Sequence, residues 1–188
     1  MKSILGFLLI GFVTINAHSQ DRECKAFINN FFDKSAKLVY RDRVGEHVIE
    51  NMKEALNQDT LYALGARFNQ ADDRLLLTQQ ERNYIQHELK LLAQLTWTDE
   101  LFENGKALTK AVIDSIYNDR TRGWSYFKKH YGSRLYNFSK PIFLRTHSLC
   151  VFYSGYSCGP RCGEGQLMLF RKKNGTWEHW MDLYRWVS

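Results

Sequence analysis

The chain has 188 residues, of which 44 % are hydrophobic and 14 % aromatic, and a formal net charge of +6. That length and apolar share suffice for one domain with a packed interior, and they exclude an intrinsically disordered chain. Beyond the first 19 residues no stretch approaches the roughly 20 uncharged apolar residues of a spanning helix, so no transmembrane segment is expected there.

Residues 1–19 read as a secretory signal. Lys2 supplies the positive start, Ile4 to Val13 is uncharged and apolar, and Ala17-His18-Ser19 places small residues where cleavage before Gln20 needs them. Cys24 follows Asp21-Arg22-Glu23 rather than a small-residue triplet, which argues against a lipid anchor. The expected mature chain is a single soluble domain over residues 20–188, secreted or periplasmic, where disulfides persist.

Helical periods dominate residues 20–132. Phe27, Ile28, Phe31, Phe32, Leu38 and Val39 predict a helix over about 22–40, and Val48, Ile49, Met52 and Leu56 predict a second. Leu61, Leu64 and Phe68 suggest a short third. Thr78 and Glu81 form a capping box, a hydroxyl and a carboxylate each serving the other's backbone amide, ahead of a stripe at Tyr84, Ile85, Leu89, Leu92 and Leu95. After the break at Asn104-Gly105, Leu108 to Tyr117 gives another helix, and Trp124, Phe127 and Tyr131 a last turn or two.

From Asn137 the period shortens to that of strands. Four are expected, near 138–144, 149–156, 166–172 and 177–186, with Pro141 confining the first to an edge or an irregular start. Asn174-Gly175 tolerates the positive φ of a type I′ turn. With these as the loop residues, Lys173 faces Thr176, Arg171 faces Glu178, Phe170 faces His179, Leu169 faces Trp180 and Met168 faces Met181. Helices followed by a meander predict an α+β fold, with N-terminal helices packed on a C-terminal antiparallel sheet of about four strands.

The sharpest chemical signal is Cys158-Gly159-Pro160-Arg161-Cys162, one residue longer than a thioredoxin-type Cys-Gly-Pro-Cys. A redox dithiol needs its first cysteine ionised by a helix N-terminus or a cation. Here a strand follows, so a stapled turn is the expected role, with Arg161 as the one cation able to support a redox alternative. A second bridge, Cys24 to Cys150, would tie the first helix to the sheet. Glu164 with His179, aided by Asp182, is the alternative acid–base pair of a hydrolase. A metal is not expected, because His147 and His179 lie outside the cysteine loop. No nucleophile elbow surrounds Ser139, and no phosphate-binding glycine loop is present.

Charge divides the chain. Residues 20–119 carry 13 Lys and Arg against 17 Asp and Glu, whereas residues 120–188 carry 12 against 3. A basic C-terminal portion suits an anionic polymer, surface or acidic protein, and equally a solvated face. Within it Arg161, Glu164, Trp177, His179 and Trp180 are the candidate ligand residues, aromatic faces beside polar groups that suit sugar rings, bases or peptides. No nucleic-acid motif and no cofactor signature accompanies them.

The segments "FSKPIF", "YSCGPRCGEG", "KKNGTW" and the closing "YRWVS" resemble a pattern shared by uncharacterised secreted bacterial proteins: S-x-P-[IV]-F, then C-G-x-x-C-G-x-G, then K-x-x-G-x-W. The likeness covers about residues 137–188. It implies an α+β fold and an extracytoplasmic address, and it transfers no catalytic role. The function expected is that of a binding or interaction domain, with thiol redox or acid–base hydrolysis as the alternative.

Overall fold

The computed structural model describes residues 22–32, 37–66, 71–119 and 121–188, so the expected leader at 1–19 lies outside the described residues. In chain order the elements are α1 (22–31), β1 (Val39–Arg41), α2 (Glu46–Leu56), β2 (Thr60–Tyr62), β3 (Arg74–Leu76), α3 (Gln79–Leu92), β4 (Lys106–Leu108), α4 (Lys110–Tyr117), α5 (Gly123–His130), β5 (Leu135–Phe138), β6 (Ile142–Leu144), β7 (Leu149–Gly159), β8 (Cys162–Lys173) and β9 (Thr176–Val187). The fold is α+β as predicted, but the sheet is larger than four strands and mixed. Seven strands follow the order β4-β1-β5-β7-β8-β9 with β6 also on β7, and β1 runs parallel to both β4 and β5.

Three strands sit where the periodicity predicts helix. Leu38-Val39-Tyr40 is buried on both faces, so its apolar run carries no period of either kind and extends the helical stripe by accident. Leu61 likewise belongs to β2, paired with β3, and Leu108 closes β4 before Thr109 caps α4. Phe68, the last residue of the expected third helix, lies outside the described residues. The capping box of α3 forms as read: Glu81 N donates to Thr78 Oγ1 at 3.2 Å, and Thr78 N donates to Glu81 Oε2 at 2.8 Å.

The strand expected at 138–144 is two strands. Pro141 has no amide to donate, and the ladder breaks over Ser139-Lys140-Pro141. Ser139, fully buried, holds both pieces to β7: its amide donates to the Tyr153 carbonyl at 3.0 Å, and its hydroxyl accepts from the Tyr153 amide at 2.9 Å. Ser139 is thus a splice rather than a nucleophile.

Helices cover both faces of the sheet. On one face Cys150, Phe152, Met168 and Phe170 meet Phe27 and Ile28 of α1 in an aromatic cluster. On the other, Val151, Tyr153, Leu167, Leu169 and Met181 meet the aliphatic stripes of α2 and α3. Farther along that second face α4 and α5 cover Val39, Leu108 and Leu135.

The β8–β9 register follows the Asn174-Gly175 turn only at first. Both turn residues have positive φ, and Lys173, Arg171 and Phe170 face Thr176, Glu178 and His179. Leu169 then faces Met181 rather than Trp180, and Met168 faces Asp182 rather than Met181, which corrects the expected pairing. The cause lies in Trp180-Met181-Asp182-Leu183-Tyr184. Apolar residues in adjacent pairs cannot all reach one face at period two, and all four join the α2/α3 cluster here. Two irregularities, each giving β9 an extra residue, bring both members of each pair to that face.

Candidate functional site

The expected Cys158–Cys162 bridge closes the β7–β8 hairpin around Pro160-Arg161. Cys158 is the extra residue of a register shift between Ser157 and Gly159, and β8 continues directly from Cys162. No helix N-terminus follows the pair, so the local structure is that of a staple. Arg161 is exposed at the tip. Cys24 and Cys150 do not form the second expected bridge. Both are buried thiols in the aromatic cluster, and the Cys150 thiol turns toward its neighbour's carbonyl, Val151 O, at 3.8 Å. Burial, and next the nearby Cys24, push the Cys150 pKa well above its ordinary value.

The glycines after Cys162 have a packing role. A Cβ on Gly165 would stand 2.3 Å from Trp186 Nε1 and 2.4 Å from Tyr153 Oη, and one on Gly163 would meet the Trp186 ring at 3.1 Å. The alternate glycines therefore open a slot on one side of β8, where Trp186 Nε1 donates to Tyr153 Oη at 3.0 Å. The residues between and after them, Glu164 and Gln166, face the opposite side.

That side is a groove of about 260 Å³. Its floor is Phe31, Phe32 and Met168, and its rim carries Arg134, Tyr136, Ser154, Tyr156, Glu164 and Gln166. The Arg134 guanidinium lies 4.4 Å from the centre of the Tyr156 ring, and the Tyr136 hydroxyl raises its pKa by hydrogen bonding. Arg185 reaches Glu164 at 3.4 Å.

The other expected ligand residues lie elsewhere. Trp177 is packed between Phe27 and Phe143, with the Lys172 ammonium over its ring at 5.0 Å. His179 contacts the Phe170 edge and bonds Asp182 at 2.8 Å. His179 pairs with Phe170, six residues along β8 from Glu164, so the two stand about 20 Å apart at ~3.3 Å per residue. The acid–base pair weighed for a hydrolase is not brought together, because general acid and base must both reach one substrate.

Trp180 points to the α2/α3 face and lines a cavity of about 600 Å³ with Arg74, Arg82, Arg145 and Asp59. Its indole N–H donates to the Asp72 carbonyl at 2.8 Å, which fixes the ring. Two of the arginines are anchored by carboxylates of the N-terminal part. Arg82 pairs with Asp59, and its NH2 donates to Gln79 Oε1 at 2.6 Å. Arg145 donates from Nε to Glu81 Oε1 at 2.9 Å and from NH2 to the Leu76 carbonyl at 2.7 Å. A guanidinium has five N–H donors, so each keeps donors beyond these anchors. Burial opposes the Glu81 charge, but the hydrogen bonds from Arg145 and Thr78 outweigh it and lower the pKa below its ordinary value. Arg171 stacks over Trp180 at 5.5 Å, and among the described residues its buried Nε has no acceptor.

Arg145 also begins an unusual turn. Arg145, Thr146 and His147 have φ of 50°, 53° and 61°, three successive left-handed residues with no glycine among them. Each costs about 1–2 kcal/mol. Contacts at the turn offset this: Ser148 Oγ donates to the Arg145 carbonyl at 2.8 Å, Arg145 pairs with Glu81, and His147 pairs with Glu23. Strain of this kind concentrates where a side chain must be aimed.

The pocket was hidden in the sequence because its arginines come from positions 74, 82 and 145, with no spacing to connect them. The charge division was visible, but its outcome was not: Glu81 and Glu23 neutralise Arg145 and Lys172 across the fold, so the basic portion is partly paired inward. Among the described residues no group of three or more His, Cys, Asp or Glu is placed to hold a metal ion. Compared with protein-family models, curated proteins and solved structures, the chain matches none.

Proposed function

We propose that this protein is an extracytoplasmic binding domain whose primary ligand is an anion held in the Trp180 pocket. One observation carries the reading: Arg74, Arg82 and Arg145 line the same cavity as a fixed tryptophan. Two of these guanidiniums are held by their own ion pairs and retain unused donors, so little side-chain freedom is lost on binding. Arginine forks match carboxylate and phosphate oxygens, and the indole face suits the apolar part of such a ligand. The extracytoplasmic address rests on the leader reading and on the Cys158–Cys162 pair, a bridge that an oxidising compartment would preserve. The redox and hydrolase alternatives gain no comparable support, since the cysteine pair lacks an activating helix and Glu164 stands far from His179.

Titration with citrate and with pyrophosphate tests this, followed by tryptophan fluorescence and assigned with Trp180→Phe. Arg74→Ala and Arg145→Ala should each weaken binding at least about tenfold, the lower part of a charge-assisted bond's range. Affinity should fall as salt screens the pocket. Arginine variants that bind as tightly as the parent, or affinity indifferent to salt, would refute the proposal.

A further inference from the structure

The groove on the opposite face of the sheet differs from the arginine pocket in its chemistry. It joins an apolar floor to a rim of planar or short polar groups, and its volume of about 260 Å³ is small. Ligand sites for drug-sized molecules run from about 300 to 1,000 Å³, so this one fits a single ring with its substituents rather than an extended chain buried whole.

The rim is fixed from several elements. Tyr136 comes from β5, where it faces Tyr156 of β7 across the ladder, and Glu164 of β8 faces Tyr156 on the other side. Three neighbouring strands thus present a phenol, a phenol and a carboxylate in one row. Tyr136 and Tyr156 lie 5.9 Å apart at 57°, which presents one ring tilted against the other. Tyr136 is braced from below by Phe32 at 5.7 Å. Arg134 over the Tyr156 face fixes both partners, and Arg185 holds Glu164 from outside. The slot for Trp186 lies behind the same strand, so Glu164 and Gln166 are backed by a filled surface.

The charged residues that line the groove balance, one guanidinium (Arg134) against one carboxylate (Glu164), with Arg185 reaching Glu164 from outside, so the groove lacks the arginine excess of the Trp180 pocket. Hydroxyls, an amide, a carboxylate and a guanidinium together offer both donors and acceptors. A ligand matching this has an apolar C–H face to lie on aromatic rings and hydroxyls around its edge. We infer that the groove is a second binding site, for a neutral pyranose unit of a glycan, with Tyr136 and Tyr156 contacting the sugar face and Glu164 and Gln166 bonding its hydroxyls. The site is independent of the anion pocket, from which the sheet separates it.

Isothermal titration of the full mature chain with the neutral tetrasaccharides cellotetraose, chitotetraose and maltotetraose tests this inference. At least one should bind with saturation at millimolar concentration or below. Tyr156→Ala should weaken that binding about tenfold or more, and the isosteric Glu164→Gln, which keeps the groove's shape, by about fivefold. Arg145→Ala should leave it unchanged, and affinity should be the same at low and high salt, because the ligand carries no charge. No saturable binding by any of the three, or binding that ignores Glu164→Gln and Tyr156→Ala in variants that melt like the parent, overturns the inference. Loss of citrate binding with sugar binding retained separates a failure of the anion reading from a failure of this one.

Discussion

The two faces of the central sheet are built on different principles. The α1 face is a web of rings: Phe27 alone contacts Phe31, Phe143, Phe152, Phe170 and Trp177 at centroid separations between 5.2 and 6.4 Å. The α2/α3 face is aliphatic, filled by branched and unbranched side chains from two regular helices. A second difference follows from the first. The aromatic face extends its rings into an uncharged-ligand groove, whereas the aliphatic face ends in a rim of ion pairs around Trp180. One helix of ten residues covers the first face, whereas α2 and α3, with the shorter α4 and α5 farther along, cover the second, so rings do there what helix area does opposite.

The largest expected effect comes from removing the hub of the aromatic face. Phe27→Ala should destabilise by about 3–5 kcal/mol, the usual loss for a buried phenylalanine, with its edge-to-face contacts placing it toward the upper part. Leu89→Ala, fully buried at the centre of the opposite face, should cost about 2–5 kcal/mol and less than Phe27→Ala. Denaturant unfolding of both variants checks this. A larger loss for Leu89→Ala would show that α3, and not the ring web, is the stronger clamp.

An intermediate effect is expected where the two faces meet through a strand. Gly165→Ala places a methyl within 2.4 Å of both the Trp186 nitrogen and the Tyr153 hydroxyl, on side chains locked together by a hydrogen bond. Overpacking of this kind costs about 1–3 kcal/mol. Adding Trp186→Phe should recover part of the loss by shrinking the obstructing ring. A neutral Gly165→Ala, or a double variant no better than the single, would mean that the slot does not require glycine.

Much of this architecture was legible, and the illegible parts have identifiable causes. The α2 and α3 stripes, the Thr78–Glu81 box and the Asn174-Gly175 turn each rest on interactions within about ten residues, where spacing carries the information. The short strands β1, β2 and β4 were missed because three residues are too few to show a period. The β9 register slipped at Trp180 because the paired apolar residues 180–181 and 183–184 invite either a face change or a bulge, and only the cluster from α2 and α3 selects the bulge. The candidate sites divide the same way. Glu164 and Trp180 could be singled out as exposed-type residues in aromatic, charged surroundings. Their partners Arg134, Tyr136, Arg74, Arg82 and Arg145 come from distant elements and carried no signal of their own. The "CGEG" glycines illustrate the limit from the other side. They look like a flexible loop, yet they are strand residues whose missing side chains house a tryptophan 21 residues away from Gly165 along the chain.

The smallest effect expected is electrostatic, and it separates the faces by pH. Each face is tied by one carboxylate from the acidic portion: Glu23 to Lys172 and His147 on the α1 side, Glu81 to Arg145 on the pocket side. Burial works against the Glu23 charge as well, and hydrogen bonds from His147 and Lys172 outweigh it, so both carboxyls have pKa values lowered by folding. A lowered folded-state pKa contributes stability that is present above the unfolded value, about 4.3 for glutamate, and is lost as pH falls through the folded one. Both side chains are partly exposed, so each contribution should be at most about 1 kcal/mol. Glu81→Gln should therefore flatten the stability curve below about pH 4.3, and so should Glu23→Gln, while Glu81→Gln alone should also loosen Arg145 and weaken anion binding at neutral pH. Equal effects of the two variants on citrate affinity would break the link between the Glu81 ion pair and the pocket, and leave both carboxylates as fasteners of the fold.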